Sequence, residues 1–354
     1  VVGTGMMGCD PIRDVVAEPG VVAVAAADPH PASREAAAEA AGGDLSVHPD
    51  VESMLRSELL DAVVVSTPNM THREVLAPLW GRDLHLLVEK PLCTTVSDAA
   101  AVRLAARDHP GIVWVGLEYR YMPAVRRVVD PGARGAARGV RMLSLPAHPV
   151  PVLGKGGGCH FFDLMNLVLP GRPVRVLASG GQDVNHLDES YETARSPAEV
   201  PDILDNAFVI VDYDDGRRAL LDLCMFAEGS RWEQELVATG DAGKVEVHLP
   251  GFMELSRGRE PELVVGGRGP GWPVTEGPVT DGGDVAHLGA HHGASYLEHE
   301  AYCASIRNGT APAVTVDDGL LSVAMGVAAH RSIDEGRPVT LAEVGTPDEL
   351  LDGA

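Results

Sequence analysis

Gly3-Thr4-Gly5-Met6-Met7-Gly8 is a G-x-G-x-x-G run set between two apolar residues, Val1 and Val2, and a helix-compatible stretch from Pro11. In that setting the first glycine permits a tight turn and the second lets a pyrophosphate approach the backbone. The third allows close helix packing. The phosphates then meet the unpaired N–H groups at the helix's amino end. A chain with 40 glycines makes such runs by chance, so the surroundings carry the argument. Val21 to Ala27 reads as the next buried strand and ends at Asp28, twenty residues past Gly8. A carboxylate there accepts hydrogen bonds from an adenosine ribose. It repels a 2′-phosphate and so favours NAD, while Arg34 nearby leaves NADP open. A plain turn residue before Pro29 is the other reading of Asp28.

Further apolar runs follow at Ala62 to Ser66, Leu84 to Val88 and Ile112 to Leu117. Helical spacing covers Pro31 to Ala41, Asp50 to Ser57, Thr71 to Trp80 and Ser97 to Arg107. This alternation predicts an α/β fold, a doubly wound parallel Rossmann sheet over residues 1–120. The opening strand would have barely two residues, so the chain is expected to lack a few N-terminal ones. After Pro123 the rhythm changes. Asp214-Asp215-Gly216 joins Phe208–Tyr213 to Arg218–Phe226, and Gly240 to Gly243 joins Glu235–Ala238 to Lys244–His248. Both read as hairpins, so residues 121–354 are predicted to be an α+β domain on an antiparallel sheet. Ser179 to Asp202 and Gly266 to Gly283 read as long loops, and Gly319 to Ser332 as a closing helix.

Two further motifs fall at carboxyl ends of predicted strands, where doubly wound folds bind ligands. Ser66-Thr67-Pro68-Asn69 follows one; it also serves as a helix start, with Asn69 or Thr71 capping, and His72 beside it reads as local. Glu89-Lys90-Pro91 follows the next. The chain has only three lysines, Lys90, Lys155 and Lys244, against many arginines, so an ammonium here is a marked choice. It is suited to a substrate hydroxyl and its developing alkoxide. Pairing with Glu89 on the surface is the bland alternative. Gly156-Gly157-Gly158-Cys159-His160-Phe161-Phe162-Asp163 is a glycine-rich entry to an apolar helix. His160 and Asp163 share one face of it, and an imidazole is suited to taking an alcohol proton near neutrality. His287, His291, His292 and His299 superficially resemble a metal cluster, but Gly289 and Gly293 break the helix such a site needs and no carboxylate or thiolate spacing completes it. No metal is expected, and these residues read as lining a polar pocket.

The net charge of −23 opposes nucleic acid and anionic membrane as partners. No apolar run reaches the length of a membrane helix. Five scattered cysteines suggest no disulfide framework, and with no leader pattern a reducing cytoplasm is the simplest home.

Taken in order, GTGMMG, Asp28, STPN, EKP, Tyr119-Arg120-Tyr121-Met122-Pro123 and GGGCHFFD resemble the Gfo/Idh/MocA family, across essentially the whole chain. The resemblance implies an NAD(P)-binding Rossmann domain and a second domain with a large open antiparallel sheet often used for dimerisation. The C-terminal part would pack back on the first domain, and the assembly would be a homodimer or homotetramer. It implies hydride transfer with a sugar, cyclitol or related polyol as substrate. Gly3, Gly5, Met6, Met7, Gly8, Asp28, Ser66, Thr67, Pro68, Asn69, Glu89 and Lys90 would hold the cofactor. Lys90, His160 and Asp163 match the catalytic positions. Lys90, Arg120, Tyr121, His160 and His292 are candidate substrate contacts. The family usually carries an acid four residues before the histidine; here Gly156 stands there, and the connection from Arg141 to Gly158 is short. The family also includes members that retain NAD and use transient oxidation for elimination or glycoside cleavage. A non-catalytic dinucleotide sensor is the third reading.

Overall fold

Short runs, mostly apolar and too short for helices, form the first sheet. Its strands are β1 (Ala25–Ala27), β2 (Ser46–His48), β3 (Ala62–Val65), β4 (His85–Glu89) and β5 (Val113–Gly116). The computed structural model describes residues 1–5, 8–129, 139–148, 158–184, 204–251, 258–271, 274–279, 285–289 and 291–352. Met6, Met7 and Gly156 therefore lie outside the described residues. β1 pairs parallel with β2, and β4 pairs parallel with both β3 and β5. Val2 joins the two groups through parallel bridges to Ala27 and Val65. The order is therefore β2-β1-Val2-β3-β4-β5, and the winding reverses at Val2, the switch point where doubly wound sheets bind ligands.

The helices between these strands are α1 (Cys9–Ala17), α2 (Pro31–Ala41), α3 (Val51–Ser57), α4 (His72–Leu76) and α5 (Val96–Ala106). Asp50 caps α3 by accepting from Ser53 N at 2.7 Å, and Thr95 caps α5 by accepting from Asp98 N at 3.1 Å. The helix predicted over Thr71 to Trp80 is shorter than expected. α4 gives way to a 3-10 turn at Ala77–Leu79, where Pro78 has no N–H for an α-helical bond. Thr71 makes no capping bond, because its hydroxyl donates to Pro68 O at 2.7 Å instead.

The chain divides into two compact units, Val1–Tyr121 with Asp284–Val323, and Met122–Gly283 with Ala324–Ala354. The second unit holds α6 (Pro123–Val129), β6 (Met142–Ala147) and α7 (Cys159–Val168), followed by β7 (Pro173–Gly181), β8 (Asn206–Tyr213) and β9 (Arg218–Cys224). Next come β10 (Gln234–Thr239), β11 (Gly243–Leu249), β12 (Glu262–Gly267) and β13 (Val274–Pro278). Together with β14 (Val339–Thr340) they form one sheet ordered β13-β12-β11-β10-β6-β9-β8-β7-β14. Both predicted hairpins are present, as β8–β9 and β10–β11. The sheet is mixed at one place, since β6 runs parallel to β9; no hairpin joins that pair, so nothing local dictates its direction. Alternate residues are buried, for example Val209 and Val211 on β8, and α6 and α7 pack on this sheet through β6, β11 and β12.

Two predicted loops are corrected. β7 extends to Gly181, into the stretch read as loop from Ser179; residues 185–203 lie outside the described residues. Within Gly266 to Gly283, β13 pairs antiparallel with β12. Glycine and proline are tolerated there because β13 is an edge strand, exposed along most of its length.

The first unit is completed by α8 (Ala294–Asn308) and the start of α9 (Val316–Glu335), which exceeds the predicted Gly319 to Ser332 at both ends. Fully buried Trp114 donates from Nε1 to Glu298 Oε1 at 3.0 Å and meets the Tyr302 ring edge-on, centroids 5.9 Å apart. Arg307 reaches Glu18 at 2.8 Å and Arg103 reaches Asp317 at 2.6 Å. These bonds tie the returning segment to α1, β5 and α5. Among the described residues no helix is long and apolar enough to cross a membrane.

Candidate active site

Each glycine of the opening turn meets a different demand. Gly3 sits at φ +84°, where a side chain is strained, and a Cβ would lie 2.7 Å from the Ser66 carbonyl carbon. A Cβ at Gly8 would overlap the Gly3 carbonyl oxygen and lie 2.6 Å from Thr4 Cα, so turn and helix touch. Gly5 is exposed with nothing within 4 Å of its would-be Cβ. Open space above the second glycine, in front of a helix whose first turn has no side-chain cap, is what a diphosphate on backbone amides requires. The residues fit a dinucleotide.

Asp28 braces this turn. One carboxylate oxygen accepts from Thr4 N and the other from His30 N, each at 2.8 Å. A carboxylate oxygen has two lone pairs, so each keeps one for a ribose hydroxyl. The two sequence readings of Asp28, turn residue and ribose partner, are therefore compatible. Arg34 spends its Nη1 on the carbonyls of Asp28 and Pro29, at 2.7 and 3.0 Å.

Ser66 to Asn69 leave β3 next to this turn. Ser66 Oγ donates to Gly3 O at 2.8 Å, and Asn69 opens a 3-10 turn to Thr71. Fully buried His72 links this loop to the next one, with Nε2 2.9 Å from Thr67 O and Nδ1 3.1 Å from Pro91 O. Its role is local, and burial lowers its pKa.

The Lys90–Pro91 peptide is cis. Lys90 Nζ lies 3.8 Å from Glu118 Oε1, and Glu118 sits in the 3-10 turn (Glu118–Tyr121) after β5. The same Oε1 is 3.7 Å from His291 Nδ1. Glu89 faces Gly116 across the strand pair; a Cβ there would come 3.4 Å from the Glu89 carboxyl, so the glycine leaves it room. Burial, then the Glu118 charge, pushes the Glu89 pKa up to about 7. A cavity of about 20 Å³, room for one water, is lined by Asp14, Glu89, Lys90, Glu118, His287 and His299 among others. Asp14, on α1, is 1% exposed; its Oδ1 meets His287 Nδ1 at 2.6 Å while Oδ2 has no hydrogen-bond partner. Burial raises the Asp14 pKa and lowers those of His291 and His299.

Arg120 is held by Asp318 at 2.9 Å and by the Ala313 carbonyl at 3.2 Å, and the Tyr121 ring lies 6.2 Å from that of Trp114. His292 has φ +55°, in the left-handed region. In the second unit, His160 and Asp163 lie one turn apart on α7, at 5% and 1% exposure. Among the described residues no group of histidine, cysteine and carboxylate side chains is arranged to hold a metal.

Glu118 and Asp14 escaped the sequence reading, and His287, read there as lining a polar pocket, lines this one, with Asp14 as a partner the sequence did not indicate. Glu118 was legible in principle: it ends an apolar strand run at the same sheet edge as Glu89-Lys90-Pro91. Asp14 and His287 are 273 residues apart, and no spacing rule joins them.

Residues 1–117 match the family model described as oxidoreductase family, NAD-binding Rossmann fold, and residues 152–341 match its C-terminal alpha/beta domain. The chain is 25% identical over 353 residues to inositol 2-dehydrogenase of Rhizobium meliloti, covering 97% of this chain and 98% of that one. It is 24% identical over 284 residues to 2,7-anhydro-N-acetylneuraminate hydratase of Mediterraneibacter gnavus, covering 75% and 71%. Myo-inositol dehydrogenase from Lactobacillus casei, solved in complex with NAD(H) and myo-inositol, superposes with a TM-score of 0.73 at 19% identity, covering 99% and 98%.

Proposed function

This chain belongs to the Gfo/Idh/MocA family of NAD-binding oxidoreductases, and we propose that it is a dehydrogenase moving a hydride between nicotinamide and a carbinol carbon of a cyclitol or related polyol. The observation that carries this reading is the alignment of three loops at one sheet edge. Gly3–Gly8, Ser66–Asn69 and Glu89–Pro91 leave adjacent parallel strands at their carboxyl ends. Bound NAD supplies the hydride acceptor. The His160 imidazole takes the hydroxyl proton as the C–H bond breaks, and the Lys90 ammonium stabilises the negative charge growing on that oxygen. Asp163, one turn further along α7, is the candidate for the acid function that Gly156 does not supply. Ser66, Thr67, Pro68 and Asn69 would help to hold the cofactor at the sheet edge, and Asp28 would favour NAD. The inositol dehydrogenases among its relatives favour a cyclitol.

Lys90→Met and His160→Ala test the assignment against a panel of inositols and reducing sugars, by the absorbance of reduced cofactor. Each substitution is expected to lower kcat by about 10² or more. Unchanged turnover on a substrate the parent accepts removes these roles.

The hydratase among the relatives favours a second reading, in which NAD stays bound and is restored each turnover. A burst of reduced cofactor that does not accumulate distinguishes it from net dehydrogenation.

The exposed face of the second sheet supports a homo-oligomer. Leu177, Phe208 and Ile210 are 43%, 59% and 40% exposed, and Leu177 pairs with Ile210 across β7 and β8. An apolar row of this kind is suited to a second copy of the chain.

A further inference from the structure

We propose that Glu118 is the positioning residue for Lys90: its buried carboxylate aims and charge-balances the ammonium from behind, and His291 holds that carboxylate from the other side. The inference rests on the Lys90 role proposed above. The geometry comes from three elements. Lys90 leaves β4, Glu118 opens the turn after β5, and His291 precedes α8; one oxygen of Glu118 lies 3.8 Å from the ammonium and 3.7 Å from the imidazole. The Glu118 side chain is 5% exposed and that of Lys90 is 24%. The carboxylate is thus shielded while the lysine still reaches the outside.

Every element around the pair contributes charge. α1 brings Asp10 and Asp14, β4 brings Glu89, the loop before α8 brings His287 and His291, and α8 brings His299. Tyr119 lays its ring 5.3 Å from the ring of His291, and Glu298 is occupied by Trp114. Four carboxylates around one ammonium, Asp10, Asp14, Glu89 and Glu118, cannot all stay ionised at low cost. Glu89 carries the shared proton near neutrality, raised to about 7 by burial and by the charge on Glu118. Glu118 faces the Lys90 ammonium at 3.8 Å and the His291 imidazole at 3.7 Å, and we assign it the ionised role. That division explains a glutamate at each of two neighbouring strand ends: Glu89 is the neutral neighbour and Glu118 the counter-ion. The cavity of about 20 Å³ between them and Asp14 leaves space for a water to join the unpartnered Asp14 oxygen to the pair.

Only three lysines occur, so the ε-carbon resonances of ¹³C-labelled lysine can be followed one by one, with Lys90→Met assigning the site and Lys155 and Lys244 as internal references. In Glu118→Gln the Lys90 resonance is expected to titrate at least one pH unit lower than in the parent, a tenfold loss in proton affinity. Lys155 and Lys244 are expected to stay put, and Glu118→Asp to fall between. Where the parent turns over a polyol, Glu118→Gln is also expected to lower kcat about tenfold with little change in the KM for NAD. The alkaline limb of the pH–rate profile would move toward neutrality, which a merely structural role would not produce. An unmoved Lys90 titration in both Glu118→Gln and Glu118→Asp overturns the proposal, as does an equal shift of all three lysines. The resonance measurement needs no turnover. An inactive parent therefore defeats the dehydrogenase reading while the pairing is still decided.

Discussion

A methyl group placed on Gly5, and separately on Gly8, separates cofactor binding from folding within one six-residue turn. At Gly5 no atom lies within 4 Å of the new carbon and the backbone is outside the left-handed region. Gly5→Ala therefore leaves the free protein's stability within about 0.5 kcal/mol, or raises it slightly by restricting the unfolded chain. At Gly8 the new carbon overlaps the Gly3 carbonyl and lies 2.6 Å from Thr4 Cα, all of it backbone. Overpacking of this kind costs about 1–3 kcal/mol or more, which lowers the melting temperature by roughly 2–4 °C per kcal/mol in a unit this size. For NAD the order reverses in interest: Gly5→Ala fills the open space assigned to the pyrophosphate. Losing about 2–3 kcal/mol of binding corresponds to roughly 30–150-fold in Kd. Thermal unfolding gives the first quantity and titration calorimetry with NAD the second. If Gly5→Ala binds NAD as tightly as the parent, the phosphate does not sit over Gly5, and the cofactor reading of the turn is wrong.

Three further outcomes are expected. Glu89 has a pKa raised in the folded state, from 4.5 to about 7, so the folded chain binds the extra proton and its stability from this group is present below about pH 4.5 and lost as pH rises toward 7. Urea unfolding at several pH values should show that decline, on the order of 1–3 kcal/mol, and Glu89→Gln should flatten it; an identical slope in both proteins counts against the buried acid. Trp114→Phe removes the indole N–H that donates to Glu298, buried at 2% exposure, and should cost about 1–3 kcal/mol in chemical denaturation; a loss below about 0.5 kcal/mol would show that the carboxylate does not depend on it. Phe208→Glu with Ile210→Lys puts charge on the exposed sheet face and should halve the mass seen in sedimentation without changing secondary structure, whereas an unaltered assembly would place the contact elsewhere.

Local rules were enough for most of the Rossmann half. They missed β2 (Ser46–His48), which is mostly polar and largely exposed, and overextended the first apolar run, of which only Ala25–Ala27 is strand while Val22 and Val24 are exposed. Val21 to Ala27 and Ala62 to Ser66 are apolar runs too short for helices, and their alternation with helical spacing predicts parallel strands without knowing their order. Asp28, Ser66 and Lys90 follow from that, since a residue just after a parallel strand stands at the binding edge whatever the rest of the chain does. The hairpins around Asp215 and Gly240 were legible for the same reason, because turn chemistry is set within a few residues. The β12–β13 hairpin was not: its glycines and Pro278 say loop, and only a place at the sheet edge makes them acceptable in strands.

What the sequence determined by itself was whatever depends on near neighbours along the chain: the period of the elements, the glycine turn, and the places of Lys90 after a parallel strand and of His160 in an apolar helix. Tertiary structure alone decided which distant charges meet. The return of residues 284–323 to the first unit brings His287 to Asp14 and His291 to Glu118. Burial then shifts their proton affinities, because a charge's cost depends on the solvent it has lost and on the charges beside it, and neither is written in its place along the chain.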